Sequence, residues 1–66
     1  MAQEHYRGYA LWGHAVPEAG RYAASGTVTR DDVLIQTSDR LDIFWTEDEA
    51  RLAGIEWARA WVDGHS

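Results

Sequence analysis

The segment TEDEARLAGIEWARAWVDGH, Thr46–His65, constrains the fold more than any other part of the chain. Thr46 and Glu49 have the spacing of a capping box. The Thr46 hydroxyl can accept from the Glu49 amide, and the Glu49 carboxylate can reach back to the Thr46 amide. Glu47, Asp48 and Glu49 place negative charge at the positive end of the helix dipole. Gly64 stands where a C-terminal glycine cap belongs. The segment therefore predicts one helix over about residues 47–63. At about 100° per residue, Ala50, Ala53, Gly54, Trp57, Ala58, Ala60 and Trp61 share a broad stripe. Its small residues allow close approach to a sheet, and Trp57 and Trp61, four residues apart, stack in its second half. This reading makes the two indoles core. Leu52, Ile55 and Val62 fall outside the stripe, in a second apolar strip interrupted by Arg59. Apolar residues grouped on a water-facing side mark a contact, so these three are the candidate interaction residues; the alternative is the edge of the core, with Val62 covered by the N-terminal segment. The cheapest partner is a second copy of the chain.

A lone helix with one apolar face needs a sheet to cover it, and the preceding residues read as strands. In YRGYALWGHAV, the residues Ala10, Trp12, His14 and Val16 alternate with Tyr9, Leu11, Gly13 and Ala15. Gly8 and Gly13 mark a bulge or a close backbone approach. PEAG is a turn, with Pro17 at its second position and Gly20 at a positive φ. RYAASGTVTR alternates as a half-buried strand, RDD makes a tight turn, and VLIQTS is the most β-prone stretch. DR then connects to a short strand in LDIFW. The leading MAQEH is polar and is expected to fray, so residues 1–5 are left out of the sheet. The expectation is a single α+β domain over residues 1–66. It is a three- or four-stranded antiparallel meander with one C-terminal helix packed on one face. Tyr9, Leu11 and the apolar residues of VLIQTS are expected on the opposite, partly open side. That side, or an unpaired sheet edge, is a second dimer surface.

Composition explains why a partner is expected. The chain has 66 residues and no cysteine. Disulfides and thiolate zinc sites are therefore excluded as supports for a small core. Large aromatics and self-association remain. The start carries no signal-peptide pattern, and no stretch approaches the ~20 apolar residues of a membrane span. A soluble cytoplasmic protein with no membrane partner is expected. The net charge is −5, and all six basic residues are arginines spread along the chain. An acidic domain without a basic patch repels phosphate backbones, so no nucleic acid is expected.

The residues that carry chemistry do not assemble into a known pattern. His5 and His65 lie near the ends, and His14 lies on a strand. Ser25, Ser38 and Ser66 lack a nucleophile elbow. The acids of RDD and TEDE read as turn and cap residues, without calcium-loop spacing. Asp63 and His65 would be two ligands with no third. The glycines match neither phosphate-binding fingerprint. The sequence therefore predicts no catalytic, cofactor or metal residues, and no enzyme.

The stretch FWTEDEARLAGIEWARAWVD resembles the C-terminal end of short proteins from proteobacteria of the Burkholderia type. In those, strands lead into a phenylalanine, a Thr-x-x-Glu-Ala cap and a helix ending in Trp-hydrophobic-Asp. Here those positions are Phe44, Thr46, Glu49, Ala50, Trp61, Val62 and Asp63, and the YRGY of Tyr6–Tyr9 is also similar. The resemblance covers about half the chain and implies the fold alone. A weaker likeness, in the strands-into-capped-helix order, is to antitoxins of the HicB type. The function expected is a non-catalytic interaction module that self-associates as a homodimer and binds a protein or small ligand. The alternative is an antitoxin-like regulatory protein masking a basic partner.

Overall fold

A computed structural model of the chain describes residues 2–65. Strands β1 (Ala2–Tyr6), β2 (Tyr9–Glu18), β3 (Arg21–Arg30) and β4 (Val33–Thr37) form an antiparallel meander in that order. A two-residue strand, β5 (Ile43–Phe44), returns to pair with β3. The helix α1 (Glu47–His65) lies across one face. This is the α+β architecture expected from the sequence.

Three two-residue turns make the meander. Arg7 and Gly8, Ala19 and Gly20, and Asp31 and Asp32 all have positive φ, between 50° and 86°. Turns with positive φ at both central residues match the right-handed twist of the flanking strands. The second turn differs from expectation: its centre is Ala19–Gly20, and Pro17 lies inside β2 opposite Tyr22. Proline is tolerated there because β1 pairs only with residues 9–13, leaving the far edge of β2 open beyond Gly13. Residues 2–5, expected to fray, form most of β1. Glu4 is ion-paired to Arg59, and the Tyr6 hydroxyl donates to Asp63 Oδ1 at 2.6 Å. Met1 lies outside the described residues.

The far edge of β3 is almost fully paired. Beyond β4, Ser38 donates its amide to the Gly26 carbonyl, and its hydroxyl accepts from the Gly26 amide. Leu41 and Asp42 then bond the two backbone groups of Ala24, and β5 continues at Ala23 and Tyr22. Between β3 and β4 the register slips by one residue. Val28 opposes Gln36 and Thr29 opposes Leu34, so Ile35 is the extra residue of a bulge.

Three glycines set the distance between helix and sheet. Gly13 and Gly26 are cross-strand partners, and Gly54 of the helix sits on them. A Cβ on Gly13 would run into the Arg51 carbonyl, one on Gly26 into the Gly54 carbonyl, and one on Gly54 into the Ser25 carbonyl. Helix backbone therefore touches sheet backbone. On one side of this contact, Leu11, Val28, Ile55, Ala58 and Val62 make the core, with Ala2, Tyr6, Tyr9, Trp57 and Trp61 packed against it.

This placement corrects two expectations. Leu11 is fully buried beneath the helix rather than on the open side, and Tyr9 faces Trp61 edge-on at 6.4 Å. The helix also runs to His65, two residues past the expected end. Gly64 has no positive φ and continues the helix instead of capping it. At the other end the Thr46 hydroxyl accepts from the Glu49 amide, as expected, at 3.2 Å. The Glu49 carboxylate takes the Thr46 hydroxyl at 3.0 Å instead of the Thr46 amide.

Candidate interaction surface

The candidate strip on the helix is divided by the fold. Ile55 is 5% exposed and Val62 0%, both in the core cluster, while Leu52 is 57% exposed. Ile55 and Val62 are thus structural, which removes two of the three proposed contact residues. Leu52 stays on the surface, above a depression lined by Phe44, Glu49, Ala53 and Glu56. Trp57 and Trp61 are half-buried along the other margin of the helix and close the side of the core. His65 stacks on Trp61, with ring centroids 4.1 Å apart and planes 9° from parallel.

The larger apolar surface lies on β4. The helix contacts β1, β2, β3 and β5 but not β4. All five residues of β4 are exposed, and Val33, Leu34 and Ile35 reach 59%, 61% and 39%. Three consecutive exposed apolar residues on a sheet edge are a template for pairing with another strand. The sequence marks this stretch as the most β-prone, and its apolar residues as part of a second dimer surface on the open side or at a sheet edge. Which of the two surfaces stays bare is not legible there, because nothing local tells how far the helix reaches.

The open face of the sheet carries an internally bonded polar network beside the exposed Val16. Trp12 Nε1 donates to Thr29 Oγ1 at 3.0 Å. The Thr37 hydroxyl lies 3.3 Å from both the Gly26 carbonyl and Thr27 Oγ1. Thr27 Oγ1 in turn bonds His14 Nε2 at 3.0 Å, which ties the His14 ring to the sheet face. Burial also lowers its pKa from the usual histidine value.

The arginines form no patch. Arg7, Arg40, Arg51 and Arg59 pair with Asp63, Glu18, Glu47 and Glu4. Arg21 lies over the Trp45 ring at 4.2 Å and Arg30 over Tyr9 at 5.2 Å. Among the described residues no three His, Cys, Asp or Glu side chains gather as a metal site, and no helix is long and apolar enough to cross a membrane. Asp31 and Asp32 are the centre of a turn, and Asp63 is held by Tyr6 and Arg7. Compared with known proteins, the chain matches no family model, no curated protein and no solved structure.

Proposed function

We propose that the protein is a non-catalytic interaction module that self-associates, with strand β4 as its contact surface. The observation that carries this reading is the run Val33, Leu34 and Ile35, exposed on a strand the helix does not cover. A domain of this size buries only about 60% of the surface its unfolded chain exposes. Covering three more large apolar side chains therefore adds a substantial share to a small core. The polar groups beside the sheet are engaged in turns, a helix cap and cross-strand bonds, which supports a binding rather than a catalytic role. Sizing chromatography over a concentration series tests the reading. Apparent mass should rise towards twice the chain mass, whereas a constant single-chain mass at high concentration would end it.

A second reading is an antitoxin-like regulator that masks a basic partner. It is favoured by Leu52 and Phe44 beside Glu49 and Glu56, in a chain of net charge −5. A basic amphipathic peptide should then bind with an affinity that falls as salt rises. Loss of this binding in Leu52→Lys, with helix content unchanged, is the expected control. Unchanged binding by that variant would count against the site.

A further inference from the structure

We infer that the partner of β4 is a second copy of this chain, paired edge to edge and antiparallel, with Leu34 at the two-fold axis. The inference rests on the reading of β4 as the contact surface and specifies the occupant and the register.

The hairpin geometry selects Leu34. Asp31 and Asp32 form a two-residue connection, and Arg30 and Val33 are the partners that close it. In such a hairpin the closing pair exchanges both backbone hydrogen bonds. The backbone groups of Val33 therefore point at β3, and the amide and carbonyl of Leu34 point outward. Two outward-facing leucines related by a two-fold axis can exchange both bonds, as a hydrogen-bonded antiparallel pair does.

Polarity agrees with that register. With Leu34 on the axis, Val33 faces the partner's Ile35, so apolar meets apolar along the exposed run. No charge of β4 is set against a like charge, since the strand carries none.

The other edges are guarded. β1 carries Glu4 and His5, the unpaired end of β2 carries Pro17 and Glu18, and β5 is two residues long. Charge, proline and shortness are the ordinary protections of a sheet edge. β4 reads Val-Leu-Ile-Gln-Thr, with neither charge nor proline. One unguarded edge used by both copies closes the assembly as a dimer. The bulge at Ile35 adds local twist, which opposes flat stacking into a fibre. Because α1 makes no contact with β4, the incoming strand meets no helix.

The test is Leu34→Cys in the full chain, which has no cysteine of its own. Hydrogen-bonded antiparallel partners have Cα atoms about 5.5 Å apart, within the range a disulfide spans. Mild oxidation should convert most of this variant to a covalent dimer under conditions that leave Leu52→Cys a monomer. Amide exchange of Leu34 in the unmodified chain should also slow as concentration rises. If the chain dimerises but Leu34 neither cross-links nor gains protection, the edge pairing is overturned while self-association stands. If the chain stays a single copy at every concentration, both are overturned.

Discussion

At the residue scale, the fold depends on where a side chain can and cannot exist. Gly13, Gly26 and Gly54 meet backbone to backbone, so Gly54→Ala must push helix from sheet. We expect a loss of about 3 kcal/mol, the upper end of what overpacking costs, measured by urea unfolding. Gly64→Ala meets nothing and lacks a positive φ. It should be neutral or stabilising, by up to about 1 kcal/mol, where a true glycine cap would be damaged. Ala19 holds a positive φ that costs an L-residue about 1–2 kcal/mol. Ala19→Asn should recover part of this and raise the thermal midpoint. His14 offers a pH test. Its folded pKa lies below the usual 6.5, so the unfolded chain binds the proton more tightly. Its contribution to stability is intact above about 6.5 and declines as pH falls through that value. A His14→Asn variant should lack this component, and an unchanged pH profile would contradict it.

At the element scale, the helix shows what sequence could and could not tell. Its cap and its small-residue stripe were legible from Thr46, Glu49, Ala50 and Gly54, because these signals are local. Its rotation was not. The buried residues Ala50, Gly54, Ile55, Ala58 and Val62 centre roughly 80° from the stripe that the indoles suggest, close to one residue's turn. Trp57 and Trp61 are the largest side chains, but a backbone contact at Gly54 leaves no room for an indole beneath it. They flank the contact, and the smaller Ile55 and Val62 fill the core on the other flank. Ile55→Glu should therefore abolish the cooperative transition, while Leu52→Glu leaves far-UV dichroism and the melting midpoint nearly unchanged. The reverse outcome would restore the strip Leu52, Ile55 and Val62 as a surface. β1 was missed for a related reason. Its alternation of Ala2, Glu4 and Tyr6 towards the helix is short and polar, and its support comes from Arg59 and Asp63, far away in sequence. Turns fared better where both central residues carry the signal, as in Asp31–Asp32. Pro17 misplaced the second turn because proline also fits an unpaired strand edge.

At the scale of the whole molecule, the meander and its helix follow from patterning, and so do the apolar VLIQTS stretch and a free sheet edge, but the choice between these and the helix strip as the bare surface does not. That surface depends on how far one helix extends over the sheet. The helix is centred on β2 and β3, where the glycines bring it down, and it stops short of β4. The resulting domain has one well-covered face, one open face with a hydrogen-bonded polar network beside the exposed Val16, and one apolar edge. On the proposed reading, this edge drives association. The most direct test is light scattering on a sizing column, comparing the unmodified chain with Leu34→Lys and Leu52→Lys across concentration. Edge pairing through β4 should give dimers for the unmodified chain and for Leu52→Lys, and a folded monomer for Leu34→Lys. A monomeric unmodified chain, or a dimer that Leu34→Lys leaves intact, would contradict it.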